Sequence, residues 1–159
     1  MAMTMQVTGI EELSRKLNAL GDKAEEVASR ALYAGAGVMA DQYTAAADSI
    51  RTAPFRYAFN GKKRDPSPEE KAAVQGKIGI AKFNRNGSEV NTSVGVGARG
   101  YVEIGGKRKA AAMIANSINS GTSFMNKQPA FRRAATQARG AATEAVVQAA
   151  EAKIKEITR

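Results

Sequence analysis

Apolar positions recur at helical spacing over two long stretches, one toward each end of the chain, and break into short alternating runs between them. Near the start, Thr8 followed by Glu11 has the form of a capping box. Ile10, Leu13, Leu17 and Leu20 then fall three or four residues apart, which predicts a short helix with one apolar side. Gly21 is expected to end or bend it. From Asp22 onward, Ala24, Val27, Ala28, Ala31, Leu32, Gly35, Val38 and Met39 describe a second, longer helix whose stripe is mostly small side chains. Gly35 and Gly37 mark close packing or a bend, and packing is the simpler reading.

After Ile50 the periodicity stops. Segment 51–66 carries Arg51, Arg56, Lys62, Lys63 and Arg64 with Phe55, Tyr57 and Phe59 between them, and is expected to be an exposed, flexible basic loop. Ser67, Pro68 and Glu70 supply an N-cap, a first-turn proline and a capping-box acid, predicting a brief helix toward Val74. A hairpin around Asn86 and Gly87 follows. A two-residue turn would split the apolar residues between both faces. A three-residue loop of Arg85, Asn86 and Gly87, with the glycine left-handed, instead aligns Ile78, Ile80, Val90, Thr92, Val94 and Val96, and is the preferred register.

Tyr101–Ile104 reads as a third antiparallel strand, with Gly97, Gly100, Gly105 and Gly106 as punctuation. Lys107, Arg108 and Lys109 precede an apolar segment, 110–118, that is either a helix or a buried strand. Pro129 then opens a final helix in which Phe131, Ala135, Ala138, Ala142, Val146, Ala150, Ile154 and Ile157 recur at helical spacing. Its expected length, about 30 residues, is well above the globular mean and suggests a shared or protruding packing surface.

Composition narrows what such a chain can do. Its 159 residues suit one domain, 1–159, with its own core. Aromatics are 6% of residues and Trp is absent, so the core is expected to be built mainly from Ala, Val, Ile and Leu, with helices that approach closely. The 24 Lys and Arg against 15 Asp and Glu give a net charge of +9, which favours an anionic partner such as nucleic acid, an acidic protein face or a membrane surface. Cys and His are both absent, which removes disulfides, the commonest metal ligands and the commonest general base near neutral pH.

Segment 1–8 lacks the basic and apolar runs of a signal peptide. The most apolar stretch, 31–40, contains two glycines and is half the length of about 20 residues that a spanning helix needs, so no membrane partner is expected. Gly95-Val96-Gly97-Ala98-Arg99-Gly100 matches the dinucleotide fingerprint letter for letter, but a strand-like stretch follows and no acid stands where a ribose would need one. It reads as a turn or strand end. No Ser/Lys arrangement has a recognisable spacing, and the acids are scattered or sit on helix faces, as at Glu11, Glu12, Glu25 and Glu26. No catalytic residue, cofactor or metal site is therefore expected, and the chain reads as a non-enzyme. The loop cations, with Lys107, Arg108 and Lys109, are the candidates for contact with DNA or a partner, although solvated charge is the simpler reading.

Three stretches together resemble the small tail-completion and neck proteins of long-tailed phages, the lambda minor tail protein Z-like and head-tail joining family. The first is Val7, Gly9, Ile10, Leu13, Leu17 and Leu20, leading into the helix with Gly35, Ala36, Val38 and Met39. The second is Val94-Gly95-Val96. The third, and most specific, is Gly121-Thr122-Ser123 and Met125, followed by Pro129, Phe131, Arg132 and Ala134. Together they span nearly the whole chain in the right order. The chain departs from the family pattern at Ala130, where an aromatic is common, at Arg133, where a second proline is common, and in an enlarged 51–66 segment.

The resemblance implies an α+β subunit with a long N-terminal helical region and a long C-terminal helix packed on a small antiparallel sheet. It implies a structural virion protein that forms a homo-oligomeric ring, plausibly sixfold, at the head-tail junction or tail end. Its partners would be connector or head-completion proteins and tail-tube or tail-terminator proteins, with DNA passing through the channel. Tail completion, tail termination and head joining stay open as alternatives. Assembly in the host cytoplasm, and Thr122, Phe124, Pro129, Phe131 and Arg132 as assembly contacts, are expectations of the same kind.

Overall fold

The computed structural model describes residues 18–57, 60–86, 89–97 and 101–159. Most of the helix expected near the start lies outside the described residues. Its last part, 18–22, is helical through Gly21 and gives way to a turn at Lys23. In chain order the elements that follow are α1 (Ala24–Asp48), α2 (Pro68–Gln75), β1 (Ile78–Ile80), β2 (Asn84–Asn86), β3 (Glu89–Asn91), β4 (Val94–Val96), β5 (Tyr101–Ile104), β6 (Lys107–Ala110), α3 (Ala111–Ser120) and α4 (Ala130–Ile157). The architecture is α+β, with long helices packed on small antiparallel pairings.

α1 and α4 lie side by side and antiparallel. Tyr43 near the end of α1 meets Phe131 at the start of α4, ring centroids 5.6 Å apart, while Lys153 near the end of α4 reaches Glu26 near the start of α1 at 2.7 Å. Small residues make this approach possible, because ridge-and-groove packing sets helix separation by the side chains at the crossing. Ala31, Gly35 and Ala36 of α1 and Ala134 and Ala138 of α4 are buried. At Gly35 a Cβ would lie 2.5 Å from Val146 Cγ2 and 3.0 Å from the Ala142 carbonyl oxygen, so the glycine is there for close packing.

The first hairpin corrects the expected register. β1 pairs with β4 through Ile78↔Val96 and Ile80↔Val94, which keeps these four residues on one face. Arg85 and Asn86 are not in a loop; they belong to β2 and pair with Val90 and Glu89 of β3. Between the two pairings, residues 81–83 face only 92–93, an extra residue that shifts the register as a bulge does. The hairpin packs along α1, so burial against that helix decides the register.

Tyr101–Ile104 is likewise no third strand of that hairpin. Gly105 (φ 58°) and Gly106 (φ 72°) form a two-residue left-handed turn that folds the chain straight back, and β5 pairs with β6. Lys107, Arg108 and Lys109 are thus strand residues. Segment 110–118 resolves as helix, with Ala111, Ile114, Ala115 and Ile118 buried at helical spacing. The core forms where α2, α3 and Ile104 of β5 meet the end of α1 and the start of α4, around Ala47, Ile50, Val74, Ile118, Met125 and Phe131.

Candidate functional site

The brief helix α2 begins as its sequence dictates. Ser67 Oγ accepts from the Glu70 N–H at 3.2 Å and the Ser67 N–H donates to Glu70 Oε2 at 2.9 Å, completing the capping box. Glu70 also accepts from both Arg64 guanidinium nitrogens, at 2.6 Å each, and Lys109 Nζ lies 3.5 Å from its Oε1. Burial pushes the Glu70 carboxyl up. The Arg64 and Ser67 hydrogen bonds, with the charges of Arg64 and Lys109, outweigh that and hold it below the ordinary carboxylate range. Arg64, 4% exposed with its guanidinium 5.0 Å from the Phe55 centroid, is therefore a structural cation and leaves the candidate contact set.

The Gly-Thr-Ser segment and the basic segment hold each other. Gly121 (φ 76°) ends α3, and Thr122 Oγ1 accepts from the Phe124 and Met125 amides, turning the chain toward α4. Met125 then bridges Arg64: the Arg64 N–H donates to the Phe124 carbonyl at 2.9 Å and the Asn126 N–H to the Arg64 carbonyl at 2.8 Å. Buried Gln128 clamps Arg51 from both sides, its Oε1 accepting from the Arg51 N–H at 2.9 Å and its Nε2 donating to the Arg51 carbonyl at 3.0 Å. Both ends of segment 51–66 are thus tied to the strap 121–129. Phe131 is a core residue, which removes it from the expected assembly contacts. Phe124 and Arg132 are exposed.

Three of the remaining cations, Arg56, Lys107 and Arg108, gather at the second hairpin. Phe55 packs against Gly105, where a Cβ would sit 2.8 Å from its ring, and Tyr57 OH donates to the Gly105 carbonyl at 3.4 Å. This brings exposed Arg56 to the turn that precedes Lys107 and Arg108. Lys62 and Lys63 are exposed just before Arg64, and Arg51 is exposed at the other stem.

Beside this face lies a groove walled by Tyr101, Arg108, Lys109, Met113 and Phe124 and floored by Ile114 and Met125. Tyr101 is 60%, Met113 69% and Phe124 41% exposed, so large apolar groups concentrate in one place. The Arg108 guanidinium stacks 4.4 Å from the Tyr101 ring centroid. Tyr101 and Met113 were absent from the candidate residues. A helical reading of 110–118 already turns Met113 outward, so the signal was present but ambiguous.

A wider cleft between α1 and α4 is lined by Arg51, Lys127 and Arg133 with Gln128 and Ser49. Gln128 is engaged by Arg51, and Ser49 Oγ donates to the Ala46 carbonyl at 2.7 Å, so the cleft offers positive charge without a nucleophile-base pair. Among the described residues no three acids come together as a cation site, and no helix is long and apolar enough to cross a membrane. The fingerprint-like glycines begin in β4, and β5 rather than a helix follows them. Comparison with protein-family models, curated proteins and solved structures returned no match.

Proposed function

We propose that the chain is a structural virion subunit of a long-tailed phage, a tail-completion or neck protein that acts in an oligomeric ring at the head-tail junction or tail end and is assembled in the host cytoplasm. The observation that carries this reading is the third resemblance stretch: the residues from Gly121 to Pro129 that look like the family's are those that build the strap between α3 and α4 and pin the basic segment to it. A rigid strap beside an exposed apolar and basic surface suits a subunit that presents fixed contacts to neighbours.

The test is assembly with the neighbouring structures. Purified chain is incubated with isolated portal-connector complexes and with tail tubes, and the mixtures are imaged in negative stain. Density added at the connector or at a tube end supports the reading; a chain that stays free of both contradicts it. Tail termination is the alternative within the same region, and the end of the tube that gains density separates the two.

A second reading, a free-standing DNA-binding protein, is favoured by the convergence of Arg56, Lys107 and Arg108. Its test is affinity for duplex and single-stranded DNA over a salt series, since phosphate contacts release counterions and weaken steeply with salt. No binding at low salt sinks it.

A further inference from the structure

We propose that the groove between the second hairpin and α3 is the receptor for the outer face of α4 from a second copy of this chain, a head-to-tail contact; the inference rests on the oligomeric reading above. The groove has an apolar wall, Met113 and Phe124, and a basic rim, Arg108 and Lys109. Glu70 is shared by Arg64 and Lys109, and Glu103 stands across from Arg108 on the paired strand; the three cations outnumber these two acids, so the groove keeps a net positive charge.

The outer face of α4 has the complementary pattern. Val147 is 49% exposed, and Glu144 and Glu151, three residues before and four after it, lie exposed on the same helical side, with exposed Arg139 at the edge of the patch away from Glu151. Neither acid enters an ion pair among the described residues, in contrast to Glu156 and Glu26. An apolar residue between two free carboxylates fits an apolar slot between two cations.

The two patches cannot meet within one molecule. Phe131, at the start of α4, belongs to the same core as the groove floor, whereas Val147 lies 16 residues further on, about 24 Å along the helix axis. The contact is therefore heterologous, using different surfaces on each copy, and such contacts propagate into rings where the rotation closes. The exposed apolar Met113 favours a second copy over a polyanion, which would neutralise the cations but leave that side chain without an apolar partner.

The experiment is a charge swap read by sedimentation velocity across a concentration series. Arg108→Glu alone, and Glu144→Arg with Glu151→Arg, should each weaken self-association by about tenfold or more, because each swap sets like charges against each other across the contact. Combining all three substitutions should restore association to near the wild-type level. Arg108→Glu loses its stacking on Tyr101 and faces Glu103, so its melting temperature should fall slightly, but circular dichroism at the assay temperature should show every variant fully folded, which separates lost contacts from lost folding. Wild-type oligomers indifferent to every swap overturn this contact while leaving the virion reading intact. A wild-type chain that is monomeric throughout also overturns it, and the virion reading then stands on binding to connectors or tubes. DNA binding that Arg108→Glu abolishes, with association unchanged, assigns the surface to a polyanion and overturns the proposal.

Discussion

A methyl group added at Gly35 would lie 2.5 Å from Val146 Cγ2 and 3.0 Å from a backbone oxygen of α4, whereas at Gly37 nothing stands within 4 Å. The two positions share one helix and predict opposite signs. Gly35→Ala should lower stability by about 1–3 kcal/mol through overpacking. Gly37→Ala should raise it by about 0.5–1 kcal/mol through helix propensity. Urea unfolding midpoints of the two variants check both. At Glu70, replacement by Gln strands the buried Arg64 charge and should cost about 3–5 kcal/mol. Its pH dependence follows from the depressed folded pKa: the stabilisation is fully present above the ordinary carboxylate value and is lost as pH falls through the lower folded value. Acid unfolding of wild type should therefore be steeper than that of Glu70→Gln. Glu70 was legible in the sequence as a capping acid because both halves of that interaction lie within four residues. Its bond to Arg64 was not, since it joins a segment without periodicity to a helix, and Arg64 reads as one more loop cation.

Among the elements, α1, α2 and α4 were legible because their periodicity and caps are local. The hairpins were only half legible. The apolar alternation correctly put Ile78, Ile80, Val94 and Val96 on one face, but the register depends on the extra residue in 81–83 and on packing against α1. β6 was missed because Lys107-Arg108-Lys109 reads as solvated charge, although Lys109 reaches Glu70. The α1–α4 pair carries its own prediction. Lys153, 6% exposed, joins Glu26 and Glu156 at the far end of the pair, and Arg30 reaches Glu156 at 3.5 Å. Hydrogen bonds to the carboxylates hold the Lys153 pKa above its ordinary value, and the same bonds hold Glu26 and Glu156 below theirs. The lysine's contribution is present below its unfolded pKa and lost as pH rises through the folded one. Those of the acids are present above the unfolded carboxylate pKa and lost as pH falls. Amide hydrogen-exchange protection factors in 24–30 and 150–157 should thus be highest between these limits, and Lys153→Met should flatten that dependence. Protection unchanged in the variant across this range would contradict the role given to Lys153.

At the scale of the whole molecule, the order of the resemblance stretches was readable from the chain, but the apolar groove was not. It needs β5, β6, α3 and the strap in place before Tyr101, Met113 and Phe124 meet. The proposed self-contact joins a basic groove on one copy to an acidic-flanked apolar helix face on the next. Native mass spectrometry of the purified chain across a wide concentration range tests it most directly. The account predicts monomer at high dilution giving way to one closed oligomer of fixed stoichiometry. A chain that remains monomeric at every concentration would contradict it.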